Sequence, residues 1–139
     1  MWNKTITIYN RYEDNLTGLV QWFRHTLNNC FVKRTNNKIT VGNVQLQSDN
    51  TIVRVPRQEN YMPPYLWELL TKEEKLNYVT FKGGDLVFFG EITEDIDELN
   101  SSKNSNAILQ KYNLIGSIVI NSVNVNDFCP GSHYLIKGE

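Results

Sequence analysis

Cysteine and charge of one sign are both scarce in this chain, and each scarcity excludes something. Two cysteines, Cys30 and Cys129, are too few to staple a disulfide-dense scaffold. Fourteen Lys and Arg against fifteen Asp and Glu leave a formal net charge of −1. That balance excludes a whole-molecule electrostatic grip on DNA or RNA, since such affinity comes from neutralising many phosphates. No apolar run approaches the roughly 20 residues of a membrane-spanning helix. The start, Met1-Trp2-Asn3-Lys4-Thr5, lacks the apolar stretch of a secretory signal, which predicts folding in a cytoplasm. Motifs for covalent chemistry are missing as well. There is no G-x-S-x-G elbow, and Gly116-Ser117 lacks the flanking glycines. Gly83-Gly84 is followed by neither Lys-Ser/Thr nor a helix, so it is no phosphate loop. No enzyme and no cofactor are expected.

What is present is a series of short β-like runs. The 139 residues, 40% hydrophobic, fit one domain with its own core, and 18 asparagines suit a turn-rich fold. Thr5-Ile6-Thr7-Ile8-Tyr9 alternates as a half-buried strand does. Residues 19–27 are rich in β-branched and aromatic side chains and resume after Asn28-Asn29 with Cys30-Phe31-Val32, which predicts a bent strand or a bulge. Asn36-Asn37 reads as a hairpin tip before Lys38-Ile39-Thr40-Val41, and Gly42-Asn43 as a further turn before strands at 44–47 and 51–55. Strands in succession with no helix between them imply an antiparallel meander.

A helical insertion is expected near 64–78. Pro63-Pro64 leads into a short helix, and Thr71-Lys72-Glu73-Glu74 has the capping-box pattern of a second. Leu86-Val87-Phe88-Phe89-Gly90 is the most apolar strand, residues 107–112 form one or two helical turns, and strands follow at 116–125 and 133–137. Polar loops are expected near 10–18, 35–43 and 100–106. The predicted architecture is a single mainly β domain over residues 1–139: a small antiparallel β-barrel with one or two short helical insertions.

Four constellations carry possible chemistry. His25 and Cys30 form an H-x4-C pair, and Cys129 and His133 a C-x3-H pair, together the donor set of a structural zinc. Residues five apart on a regular strand face opposite ways, so His25 and Cys30 converge only across a bulge at Asn28-Asn29. Buried cysteines and ordinary histidines are the preferred reading. Glu91, Glu94, Asp95, Asp97 and Glu98 crowd into eight residues without the glycine a calcium loop needs, and read as a solvated acidic turn. Lys33, Arg34, Lys38, Arg54 and Arg57 lie near Trp22, Phe23 and Phe31, a basic and aromatic mix that oligonucleotide-binding barrels use, although core packing is the ordinary use of such rings. Tyr61, Met62, Pro63, Pro64, Tyr65 and Trp67 form a pre-ordered, aromatic candidate interface, with Trp67 and Leu70 as plugs of the barrel end as the alternative.

The order of these segments carries a resemblance. Tyr12-Glu13-Asp14, then Trp22-Phe23-Arg24-His25-Thr26-Leu27-Asn28-Asn29-Cys30-Phe31, then Pro63-Pro64-Tyr65-Leu66-Trp67, then the run from Gly84 to Ile92, then Ser122-Val123-Asn124 and His133-Tyr134-Leu135-Ile136-Lys137 resemble the minor capsid proteins of tailed bacteriophages and prophages of Gram-positive bacteria. The resemblance implies a head-completion, stopper-type head–tail connector in the virion neck, made in the host cytoplasm. It implies a cyclic ring of six or twelve copies, with portal or adaptor proteins above and tail terminator or tail proteins below. Non-specific contact with packaged DNA and no catalytic residue are implied too. Asn36, Asn37 and Lys38 are the guess for a channel-facing loop. The alternatives are a tail terminator subunit, or a zinc-stabilised or oligonucleotide-binding regulatory module.

Overall fold

The alternation at the start of the chain sets the two faces of the first strand, and the rest of the fold is built on both. The computed structural model describes residues 3–14, 16–41, 44–126 and 133–138, with the backbone alone described at 34–41, 44–50 and 125–126. Among the described residues there are six strands, β1 (Lys4–Glu13), β2 (Val20–Val41), β3 (Val44–Pro56), β4 (Leu86–Phe88), β5 (Ser117–Asn126) and β6 (His133–Gly138), and three short helices, α1 (Pro64–Trp67) and α2 (Lys72–Asn77) between β3 and β4 and α3 (Ser105–Lys111) between β4 and β5. The strands close into a barrel in the order β1-β2-β3-β6-β5-β4, every pairing antiparallel. The protein is a mainly β, antiparallel fold.

Ile6 and Ile8 point inward and join Leu27, Val53, Val55, Val87, Ile118 and Ile136 in the barrel core. Tyr9 points outward. With Leu86 and Phe88 it forms a second core, covered by Ile92, Ile96 and Ile108 from the segment that runs over the outside of β1 and β4. Thr7 ties that segment down, donating to Gly90 O at 2.7 Å and accepting from Ile92 N at 2.9 Å.

The bulge expected at Asn28-Asn29 is present. Ile6 pairs with Leu27 and Lys4 with Cys30, and Asn29 takes φ 60°, so Leu27 and Cys30 both face inward. Gly138 marks a second tight point, because a Cβ there would lie 2.4 Å from Val119 O where β5 crosses it.

Residues 60–82 close one end of the barrel. Tyr61 and Val79 form an isolated parallel bridge, and Val79 and Phe81 enter the core. Beyond them Trp67 is fully buried, edge-on to Phe23 at 5.6 Å and Tyr12 at 6.4 Å, with Nε1 donating to Tyr78 O at 2.9 Å. The Thr71–Glu74 capping box starts α2 as its spacing predicts. Buried Lys75 holds the end of α1 by donating to the Glu68 and Leu70 carbonyls while its ammonium sits over the Tyr12 ring.

Two expectations about loops are corrected. The chain does not turn at Asn36-Asn37. β2 runs straight through, with Asn36 opposite Asp49, and the hairpin closes after the Val41–Val44 pair, so residues 35–41 are strand rather than loop. A turn at 36–37 would set Arg34 opposite Ile39, whereas the later turn sets Ile39 opposite Leu46 and Val41 opposite Val44, matching apolar to apolar. Residues 10–13 are also strand. Asn10 faces the interior, where its amide donates to Thr80 O (2.6 Å) and Asp85 Oδ2 (2.9 Å) and accepts from Thr80 N. A polar residue is tolerated there because each of its groups is bonded.

Candidate interaction surface

The three described members of the zinc set, His25, Cys30 and His133, do not gather on one side of the barrel wall. Cys30 is fully buried, and burial pushes its thiol up to about 12. His25 also faces inward, opposite Ile8. Burial pulls its ring down to about 4, against a smaller opposing effect of a hydrogen bond with the Lys75 backbone, and its Nε2 has no partner. His133 lies on the outer face, since its neighbour Tyr134 is in the core, and its Nε2 stands 3.1 Å from Arg54 Nη1. Cys129 lies outside the described residues. Among the described residues no group of three or more His, Cys, Asp or Glu is placed to hold a metal.

The acidic segment works as a strap. Ile92 and Ile96 anchor it in the outer core, Asp95 meets Arg24 at 3.1 Å, and Glu94 pairs with Lys111. That pairing holds the Glu94 carboxyl below its usual range. Of the rings proposed to stack on bases, Phe23 is buried beside Trp67 and is not available to a ligand.

The candidate interface divides into two parts. Tyr61 stacks on Phe81 and lies 4.4 Å from Tyr134, Met62 N bonds Val79 O, and Trp67 is the plug rather than an exposed anchor. Pro63 and Pro64 set the entry to α1, whose first residue is Pro64. Tyr65 is 72% exposed and Leu69, which sequence reasoning passed over, is 81% exposed. Both stand on the surface with Leu66, so this corner carries an apolar patch around the buried Trp67.

Two further features come from β2, the longest strand. At its start, residues 20–24 pair with β1 on one side, and among the described residues no strand pairs with the other. That edge floors a groove of about 420 Å³ between α2 (Lys72, Leu76) and the acidic strap (Asp97, Glu98). Trp22 lines it, and the indole Nε1 is buried without an acceptor. At the other end, β2 leaves β1 after Cys30, and β3 meets β6 only from Thr51 onward. Residues 34–41 and 44–50 therefore pair only with each other among the described residues, a two-stranded ribbon about 25 Å long at the usual rise per residue.

Val32 and Val53 pair beside the barrel core, and farther along the ribbon the register sets Asn36 opposite Asp49, Lys38 opposite Gln47 and Thr40 opposite Gln45. The same register sets Ile39 opposite Leu46 and Val41 opposite Val44. Asn36, Asn37 and Lys38, guessed to line a channel, sit midway along the ribbon instead of at its turn.

A family model, DUF6751, described as a family of unknown function, matches residues 1–139. No curated protein and no solved structure matches the chain.

Proposed function

Because the chain belongs to the DUF6751 family, whose description assigns no activity, we propose its role from its own geometry: a structural subunit of a phage neck that forms a ring and joins the DNA-filled head to the tail. The observation that carries this reading is the ribbon. A two-stranded hairpin standing alone is marginal in water, and among the described residues the backbone of this one pairs with no third strand before β6 joins β3 at Thr51. Such an element is stable when another molecule covers it. The barrel interior is filled by side chains, and the largest rings close its end, which favours work done by surfaces over work done in a cavity. The exposed Tyr65, Leu66 and Leu69 give a second apolar surface, as a ring subunit needs when it meets different neighbours above, below and beside it. Portal or adaptor proteins on one side and tail proteins on the other are the partners of this reading, and retention of packaged DNA is its consequence.

The test is made in a phage or prophage that encodes this chain. Mass spectrometry of purified particles should detect it in a few copies per virion, and deletion of its gene should yield DNA-filled heads and free tails. Absence of the chain from intact particles, or normal joining without it, refutes the proposal. The oligonucleotide-binding reading has lost one of its stacking rings to the core, and no observation favours it over assembly.

A further inference from the structure

We infer that the outer face of β2, β3, β6 and β5 binds the phosphate backbone of nucleic acid; for its occupant, the packaged duplex, this rests on the neck reading. Strand register builds the face. Val32, Val53, Val123, Tyr134 and Ile136 lie in or against the barrel core, so the residues that alternate with them point outward. One cross-strand row runs Lys33, Ile52, Lys137 and Ser122, and the next runs Phe31, Arg54, Leu135 and Asn124. Lys33, Lys137, Ser122 and Asn124 are exposed, whereas Arg54 and the apolar members of the rows are half-buried.

Charge is segregated onto these strands although the whole chain is nearly neutral. β2, β3, β5 and β6 carry Arg24, Lys33, Arg34, Lys38, Arg54 and Lys137 against a single carboxylate, Asp49, which stands opposite Asn36 beyond the two rows. Glu59 follows Arg57 where the chain leaves β3, and Asp127 and Glu139, which follow β5 and β6, lie outside the described residues. Lys33, Arg54 and Lys137 enter no ion pair among the described residues. At the usual strand geometry Arg54 stands about 8 Å from either lysine, and the lysines about 10 Å apart. A duplex carries one phosphate charge per roughly 1.7 Å of its axis, so a face of this width meets enough of them to engage all three cations. An acidic protein would need carboxylates set at these separate points, whereas a phosphate backbone supplies charge at every step.

A notch beside the first row fits one phosphate group. β5 bulges between Ile120, opposite Gly138, and Ser122, opposite Lys137, which leaves Asn121 out of the ladder. There a hollow of about 190 Å³ opens, lined by Thr51, Ile52, Asn121, Lys137 and Gly138. An ammonium, an amide and a hydroxyl border it, donors of the kind that hold phosphate oxygens. Phosphates are contacted and no base is read, so the face needs none of the rings lost to core packing.

The test is an NMR titration of the isotope-labelled full chain with a short, mixed-sequence DNA duplex at low salt. Amide shifts should map to Lys33, Arg54, Lys137, Asn121 and Ser122. Added salt should weaken binding with a logarithmic slope of about −3, the value for three phosphate contacts. Lys33→Glu and Lys137→Glu should each weaken it roughly threefold or more and reduce the slope by about one. Lys103→Glu makes the same charge change at an exposed site on the strap side and should leave binding unchanged. Absence of shifts, shifts centred elsewhere, or equal weakening by Lys103→Glu overturns the inference. So does a poly-glutamate peptide that binds this face more tightly than the duplex, since the partner would then be an acidic protein. Failure to bind DNA with the chain still present in virus particles removes only this face. Binding with the chain absent from particles removes only the neck assignment.

Discussion

His25 makes the barrel acid-sensitive in a defined window. The ring is buried opposite Ile8 with Nε2 unbonded, and its pKa is lowered from 6.5 to about 4, burial being the main cause. The unfolded chain takes up a proton as the pH falls below about 6.5, whereas the folded chain resists until about 4. Stability therefore falls with decreasing pH between those values, and above 6.5 the group contributes nothing because both states are neutral. Between pH 7 and pH 5 the loss works out at about 2 kcal/mol, and the full shift is worth roughly 3 kcal/mol below pH 4. Asp85 titrates in the other sense, because burial raises its carboxyl against the opposing pull of Lys82, so a single pH profile mixes the two. The difference between native chain and His25→Leu isolates the histidine. Urea unfolding of both across this range should show the native chain losing about 2 kcal/mol more than the variant on going from pH 7 to pH 5. Parallel profiles, or an NMR titration of His25 with a midpoint near 6.5, would refute the reasoning.

Other substitutions read other parts of the fold. Trp67→Ala empties the plugged end and strands Tyr78 O, and should cost about 3–5 kcal/mol in denaturant unfolding; a variant as stable as the native chain would return Trp67 to the surface. Gly138→Ala drives a Cβ into Val119 O and should lower the melting temperature, with hydrogen exchange rising first in β5 and β6; an unchanged melting temperature would show that the strands part easily there. Replacing Tyr65 and Leu69 together by Ser should leave stability within about 0.5 kcal/mol, since both are exposed, while lowering the yield of tailed particles in complementation. Full tail joining would remove that corner from the interface.

Local signals in the sequence located the elements better than they located the pairings. Period-two alternation marked β1, the Thr71–Glu74 spacing marked α2, and Asn28-Asn29 marked the bulge, because each pattern acts within a few residues. The hairpin was misplaced because Asn36-Asn37 and Gly42-Asn43 are both good turn pairs, and the choice between them rests on which cross-strand partners match over the following strand. Asn10 looked like loop until Thr80 and Asp85, some seventy residues away, supplied its bonds. The two roles open to Trp67 were inseparable in the sequence because α1 is only four residues long and has no periodicity to assign a buried side. The free edge of β2 was invisible for a similar reason, since an unpaired edge is a property of topology and no residue type announces it.

Closure of a sheet into a barrel normally abolishes its edges, yet β2 keeps free backbone at both ends. Its 22 residues outrun every neighbour: β1 leaves it at Cys30, and β3 meets it only from Phe31. The barrel itself needs only the central part, where His25, Leu27 and Cys30 face the core. Apart from Phe23, which packs on Trp67, the overhangs reach beyond that core, and their open backbone hydrogen-bonding groups are a liability for a solitary chain, inviting edge-to-edge aggregation. They cease to be one when another molecule covers them. If stability resides in the barrel and the overhangs serve only to meet another molecule, Trp67→Ala should lower the unfolding midpoint in denaturant and Ile39→Asp should leave it unchanged. Loss of folding from Ile39→Asp would instead make the ribbon part of the monomer's own core and leave β2 with no surplus to explain.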